Sequence, residues 1–544
     1  MYSLNYSIIC LFLSFSQLIT TTFPFSTGLK GVKSKDTVIP LSLNANGELQ
    51  QGGGTSIYKS IWETSELCPN YLNSIPILSS HYLLSYSTSE KKTILKVIQV
   101  GENPLEDTSL MYSTTYNDYN LYKIITLDQS SGIFVSISQD VSSSDETAYI
   151  MTGQVTVKDN EYSIVFGSKV KYADIYSLNP MITTLSSVAF AISYYDGTKM
   201  ATRYGVINSQ TLDIALSDPY VYADNSDYTK VHSIAGLTSS TYLLTYYDNS
   251  EGYVEFSGPL HATLVSVTLN AGTSNYEYSV LSSNMFNNTL FRDYFNTASI
   301  NENTVVVAYM DAIDSNVKAS SIVVNTNNNL MLTSTVSITT GETLSTYSDG
   351  VYMDIDITTI PNTNNFMLLF NDVGNNGYMT YSLGRYSTDG ELSKLYSNFI
   401  LSDAIDEDSE YLWASINSNN IDQVSILSSV TDKSCSNNQK NYQVNLGLME
   451  RLSTPIGVQA PSAAGNAVVL YGEVTTGNNL KQGYRYYTNT IGTLIAGNNY
   501  IGQAAVDVNP LDYIVDSDTN TIVTKDSTVG IATSSNKMYI KSIV

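Results

Sequence analysis

Several residue types are scarce in this chain of 544 residues, and each shortage removes a class of protein. There are 26 Lys+Arg against 50 Asp+Glu, a formal net charge of −24. So acidic a surface repels phosphate, and no basic stripe suited to nucleic acid occurs. The three His (His81, His232, His261) and three Cys (Cys10, Cys68, Cys435) are scattered without a C-x-x-C, so zinc-ligand spacing is missing. Beyond the first twenty positions no apolar run approaches the roughly 18 residues a spanning helix needs. G-x-S-x-G, the P-loop and the dinucleotide-binding glycine pattern are absent. What is abundant is Tyr, with 43 copies, in a chain that is 42% apolar and only 14% charged. That composition excludes a long disordered chain.

The N-terminus reads as an address. Ser7 to Thr20 is apolar, Thr21, Thr22, Phe23 and Pro24 follow, and the first Lys is Lys30. The length suits the h-region of a secretory signal peptide, although no Lys or Arg precedes it. The expected division is a signal peptide over 1–24, a linker over 25–54, repeats over 55–496 and a C-terminal β segment over 497–544. The expected destination is secreted, extracellular or at the cell surface, with no membrane span once the signal is removed. Cleavage would remove Cys10 and leave Cys68 and Cys435, a pair compatible with one disulfide or with two buried thiols. Asn287-Asn288-Thr289 is a candidate glycosylation sequon.

An internal repeat of roughly 55 residues organises the rest. Short apolar runs close on an anchor with an acidic or turn-forming residue two positions later. Clear copies are Tyr242-Leu243-Leu244-Thr245-Tyr246-Tyr247-Asp248 and Val305-Val306-Val307-Ala308-Tyr309-Met310-Asp311. The anchors fall at Tyr86, Ser138, Tyr194, Tyr246, Tyr309, Phe370, Val430 and Tyr471. The runs are β-branched or aromatic and bounded by Gly, Asn, Asp and Ser, which reads as strand. Several are apolar at consecutive positions, the pattern of a strand covered on both faces. A unit of this length holds four short strands with turns, one blade of a propeller. The predicted fold is therefore all-β, a seven- or eight-bladed β-propeller with a small C-terminal β module.

The recurrent carboxylates Asp140, Asp196, Asp248, Asp311 and Asp372, with Asp432 and Glu473, admit two readings. Each caps a turn through its own backbone N–H groups, or together they form a ring of negative potential and oxygen donors on one face. Ca²⁺ is the ion such donors suit; no cofactor is required. Asp516-Ser517-Asp518-Thr519-Asn520 has the D-x-D-x-N spacing that opens a calcium loop, with Asp516, Asp518 and Asn520 as candidate ligands. It departs from the EF-hand where Thr521 replaces Gly and Ser527 replaces Glu. The Tyr pairs Tyr194-Tyr195, Tyr246-Tyr247 and Tyr486-Tyr487 put one ring on each strand face, so Tyr195 and Tyr247 are candidate ligand-stacking side chains.

In these apolar-run-Tyr-x-Asp units the chain resembles secreted multi-repeat β-propeller proteins of poorly defined function, over roughly residues 55–495. The resemblance implies a fold, export and recognition of an extracellular glycan or protein, and no nucleic acid. The expected function is a binding or structural protein of an extracellular or surface assembly. The alternative is a carbohydrate-active enzyme, a glycoside hydrolase or lyase using carboxylates on one propeller face. Against it, Ser193-Tyr194-Tyr195-Asp196-Gly197 misses the S-x-D-x-G-x-x-W of sialidase-like propellers by one position, and Arg is scarce.

Overall fold

In the computed structural model the described residues run from 56 to 450, apart from 89, 102–106, 118, 141–146, 174–179, 224–231, 248–256, 271, 273–274, 315, 340–354, 361–363, 373–377, 388–389, 395–398, 401–410, 419–422 and 432–440. Beyond that span they comprise the strands given below and the antiparallel pair Tyr513–Asp516 and Thr521–Thr524. All described regular structure is β, and the chain divides into two compact units.

The unit formed by residues 58–449 is a seven-bladed propeller. Blade 1 is Asn70–Ile77, His81–Thr88, Lys92–Gln99 and Ser109–Asn117. Blade 2 is Tyr119–Asp128, Ile133–Asp140 and Ala148–Lys158, with an outer edge made of Glu161–Phe166 and Val170–Ala173. Blade 3 is Met181–Ser186, Ala189–Tyr195 and Met200–Ile207, edged by Ile214–Leu216 and Tyr220–Ala223. Blade 4 is His232–Thr238, Thr241–Tyr247, Ser257–Asn270 and the first part of the long strand Asn275–Asn301. The last part of that strand opens blade 5, followed by Thr304–Asp311, Val317–Val324 and Leu330–Ser337. Blade 6 is Ile355–Thr359, Asn365–Asp372 and Tyr378–Tyr386, edged by Leu392–Lys394 and Phe399–Ile400. Blade 7 is Tyr411–Ser418, Gln423–Thr431 and Asn441–Glu450, and its outer strand is Ser56–Leu67 from the start of the chain. The first strands touch one another in turn, and that of blade 7 returns to that of blade 1, so they line the axis.

The apolar runs are the second strands, and they are covered on both sides as expected. All eight residues of His81–Thr88 and of Thr304–Asp311 are buried, as are all seven of Ala189–Tyr195. Alternate side chains enter different gaps. Phe190, Ile192 and Tyr194 pack toward blade 2, whereas Ala189 and Ala191 pack toward blade 4. Val305, Val307 and Tyr309 face blade 4, and Val306, Ala308 and Met310 face blade 6. Each large side chain so buried contributes about 1.5–3 kcal/mol.

The remaining unit, residues 1–57 and 450–544, contains two sheets. One has the order Leu49–Gln51, Ile39–Leu43, Pro455–Ser462, Gly465–Val469. The other runs Tyr471–Thr475, Lys537–Lys541, Thr528–Ser534, Tyr484–Thr488, Leu494–Tyr500. The eighth anchor, Tyr471, sits here and not in a blade, so the count is seven.

The blades fall into two kinds. In blades 2, 3 and 6 a Phe near the start of the second strand lies directly opposite a Gly in the third: Phe134–Gly153, Phe190–Gly205 and Phe366–Gly384. The ring covers the bare Cα, and a Cβ on Gly205 would lie 2.1 Å from the Phe190 ring. In these blades the outer edge is broken into two short strands. In blades 1, 4 and 5 the corresponding pairs are Tyr82–Ile98, Tyr242–Val265 and Val305–Ile322, and the outer strand is continuous but bulged beside that pair.

Gly205→Ala is expected to overpack the gap and cost about 1–3 kcal/mol. It should lower the urea midpoint at unchanged m, with recovery when Phe190 is also cut back to Leu. A neutral Gly205→Ala would refute the pairing as the reason for glycine.

Cys68 is disulfide-bonded, and both other cysteines, Cys10 and Cys435, lie outside the described residues. Cys68 follows the outer strand of blade 7, and Cys435 lies in sequence between the second and third strands of that blade. Because strands alternate in direction, both connections belong to the same face. Non-reducing peptide mapping should therefore recover Cys68 joined to Cys435; a Cys10–Cys68 peptide would refute this.

Candidate functional site

The repeated carboxylates share one register. Asp140, Asp196, Asp248, Asp311 and Asp372 are each the eighth residue counted from the start of a second strand. Two have described side chains, and both are consumed by their own turns. Asp196 Oδ1 accepts from the backbone N–H of Thr198 (2.9 Å) and Lys199 (2.7 Å) and from the Thr198 hydroxyl (2.8 Å). Burial pushes the Asp196 carboxyl up, but these donors outweigh it and hold the group below its ordinary range. Asp311 Oδ1 accepts from the N–H groups of Ile313 (2.8 Å) and Asp314 (3.3 Å), while its Oδ2 lies 3.1 Å from Lys318 Nζ. The side chains of Asp140 and Asp372 and all of Asp248 lie outside the described residues, as do Asp518, Asn520, Cys435 and the side chains of Asp516 and Asn287. Among the described residues no group of three or more His, Cys, Asp or Glu is placed to hold a metal ion.

The Tyr pairs differ from expectation. Tyr194 and Tyr195 are both buried, and so are Tyr246 and Tyr247. Alternation does send the two rings to opposite strand faces, but each face abuts another blade, so neither ring is left for a ligand. Tyr195 and Tyr247 are therefore not exposed stacking platforms; Tyr195 OH donates to Gly197 O at 2.7 Å.

Partly exposed aromatic rings gather instead on outer strands, where blade 3 meets blade 4. Two Tyr-x-Tyr segments meet there, Tyr220-Val221-Tyr222 and Tyr276-Glu277-Tyr278, each placing two rings on one face of its strand. Tyr220 stacks on Tyr278, with centroids 5.2 Å apart and planes at 16°. Tyr276 meets Tyr204 at 4.9 Å, and Tyr222 meets Tyr246 at 5.4 Å. The rings assemble because the outer edge of blade 3 is broken at Asp218-Pro219, and Pro219 has no N–H to offer a ladder. The unpaired stretch of the third strand's edge is closed by side chains: Tyr204 N donates to Ser217 Oγ (2.9 Å) and to Tyr278 OH (2.8 Å) reaching across from blade 4. Ser217 Oγ and Tyr278 OH also share a hydrogen bond. On the next strand inward Ser193 pairs with Tyr222 OH at 2.7 Å, and on the third strand itself Thr202 pairs with Tyr242 OH at 3.1 Å.

This seam has an apolar outer border. Leu269, Val280, Leu281 and Met285 are four of the eleven large apolar side chains exposed among the described residues, and Leu269 is 60% exposed. Exposed apolar side chains grouped along one blade edge mark interaction sites. Glu277, on the same strand, accepts from Asn270 Nδ2 at 2.5 Å. Tyr-x-Tyr spacing was the sequence signal for this site. Sequence patterning favoured the Tyr-Tyr pairs, because nothing in either motif states which strand will be outermost.

No protein-family model and no curated protein matches the sequence. Solved structures match at the level of fold. Kluyveromyces lactis Hsv2 is 12% identical, over 71% of this chain and 99% of its own, with a TM-score of 0.37. Chaetomium thermophilum Sqt1, bound to the N-terminus of the ribosomal protein L10, is 8% identical over 77% and 97%, also with a TM-score of 0.37. Saccharomyces cerevisiae Sqt1 is 9% identical over 86% and 100%, with a TM-score of 0.34.

Burial pushes the Tyr278 hydroxyl up to about 12, the hydrogen bond from Ser217 offsetting part of the effect. Burial likewise raises Tyr222 and Tyr242. The neutral phenol is favoured in the folded state, so this stability is intact below the unfolded tyrosine value near 10. The share of Tyr278 is lost as pH climbs from about 10 through about 12, and that of Tyr222 and Tyr242 at higher pH still. A phenolate absorbance titration should leave these rings un-ionised until the urea midpoint has fallen; their ionisation near pH 10 with folding intact would refute the seam.

Proposed function

We propose that this propeller is an exported binding protein whose blade 3–blade 4 rim docks an extracellular protein. The observation that carries the reading is the rim itself: partly exposed Tyr220 and Tyr276 bordered by Leu269. Tyr supplies broad contact area with little entropy to lose, and aliphatic neighbours exclude water around it, the usual composition of an interface centre. The aliphatic border favours a protein over a glycan. Export is supported by the N-terminal apolar segment and by the disulfide at Cys68, a bond that persists in oxidising compartments.

The test places a photo-crosslinking residue at Tyr220 or Leu269 in the full chain and, as a control, at the exposed Val157 of blade 2. A defined protein adduct at the first two positions and none at the third is expected. Tyr220→Ala with Leu269→Ser should weaken capture of that same protein at least tenfold, about 1.4 kcal/mol or more. Equal labelling at Val157, or saturable binding to a glycan array as the sole activity, would overturn the assignment.

A further inference from the structure

We infer that Asn287 carries an N-linked glycan, and that this glycan covers the apolar outer border of blade 4. The inference rests on the export reading. Asn is abundant in the chain, yet after the N-terminal apolar segment only Asn287-Asn288-Thr289 forms an N-x-S/T sequon.

The backbone register supplies an independent reason. The strand Asn275–Asn301 pairs with Ser257–Asn270 as far as Leu260↔Phe286 and resumes at Pro259↔Leu290. Residues 287–289 therefore fall between two consecutive partners. Pairing with the following strand begins only at Phe291↔Asp311. The three sequon residues have no partner on either edge, at a point where Pro259 has no N–H to donate. An unpaired insertion of this size bends the strand and stands clear of the ladder. It marks the passage from the outer strand of blade 4 to the first strand of blade 5. Val280, Leu281 and Met285, all exposed, precede it on the same strand. A hydrated oligosaccharide rooted two residues beyond Met285 lies over them and leaves Tyr220 and Leu269, farther along the seam, accessible.

The modification is a group transfer from a lipid-diphosphate-linked oligosaccharide. The Asn287 amide nitrogen forms the bond to the anomeric carbon as the carbon–oxygen bond to diphosphate breaks. The diphosphate leaves with the electron pair, and the amide gives one proton to the base of the transferase.

The full chain, expressed in eukaryotic secretory cells with its own N-terminus and in parallel behind an unrelated leader, should carry one glycan. A glycan-releasing amidase should remove it and leave Asp at 287. The glycan should be lost in Asn287→Gln and in Thr289→Ala and kept in Thr289→Ser. Glycosylation only behind the unrelated leader would keep the site and refute export by the natural N-terminus. Secreted protein that is unmodified at Asn287 under either leader overturns the site and leaves export standing. Asn287→Gln and Thr289→Ala should both be retained longer on a hydrophobic-interaction column than the parent; unchanged retention of either would refute the shielding.

Discussion

Everything in the propeller depends on second strands that have no solvent side. In Ala189–Tyr195 or Thr304–Asp311 the two sets of alternating side chains enter two different gaps, so neither set is satisfied until blades stand on both sides. A single blade, or an open row of them, would expose at least one such face. Closure is therefore a condition of stability, and the outer strand Ser56–Leu67 supplies it by completing blade 7 from the other end of the chain. Its seating is polar as well as apolar. Glu66 Oε1 accepts from Lys96 Nζ (2.8 Å) and from Tyr86 OH (2.6 Å) of blade 1, with the ammonium 5.1 Å from the Trp62 ring centroid. A buried ion pair adds little net stability, but breaking one is costly. It therefore selects the register in which this strand closes the ring.

The same closure sets a problem at the axis, where seven first strands present unpaired edges. Hydroxyls and amides answer it from blade to blade. Thr126 Oγ1 donates to Pro76 O (2.6 Å), Thr184 Oγ1 to Thr126 O (2.7 Å), and Ser299 Oγ to Gly236 O. These residues occupy equivalent places, each near the end of a first strand. Blade 4 has glycine there because a Cβ on Gly236 would lie 2.4 Å from the Thr184 carbonyl oxygen. One level away Asp356 joins three blades, accepting from Asn296 Nδ2 (2.9 Å) of blade 5 and from the N–H of Ile416 (3.0 Å) of blade 7. The abundance of Ser and Thr in a largely apolar repeat thus has a use beyond turns.

How much of this was legible follows from what each residue touches. The anchors Tyr86, Ser138, Tyr194, Tyr246, Tyr309 and Phe370 are all the sixth residue of a second strand, because a strand buried on both faces has only apolar and small side chains to show. Val430 was two places out of register; the equivalent residue is Ser428. The eighth anchor, Tyr471, belongs to another sheet that shares the same β patterning without the ring. The turn role of Asp196 and Asp311 is local chemistry, and one of the two readings of the sequence contained it. The seam at Tyr204, Tyr220, Tyr276 and Tyr278 joins residues of two blades, and no local pattern could state that Pro219 would open a gap for a ring from the next blade to fill.

The outer edges decide what kind of recognition this surface allows. A long outer strand offers a row of backbone donors and acceptors to any extended segment. Here the edge of each blade from 1 to 6 is interrupted near the same level of the third strand. Blades 1, 4 and 5 have a one-residue bulge beside Ile98, Val265 and Ile322, and blades 2, 3 and 6 have a break beyond the glycine that faces the phenylalanine. Two local solutions give one result: no outer edge of blades 1 to 6 presents an uninterrupted ladder for strand addition. In blade 3 the break is also plugged, since Tyr278 takes the N–H that a partner's carbonyl would need. Recognition at the rim must then work through side chains, by shape and ring area, and the interruption that blocks backbone pairing is what gathers the tyrosines into the seam.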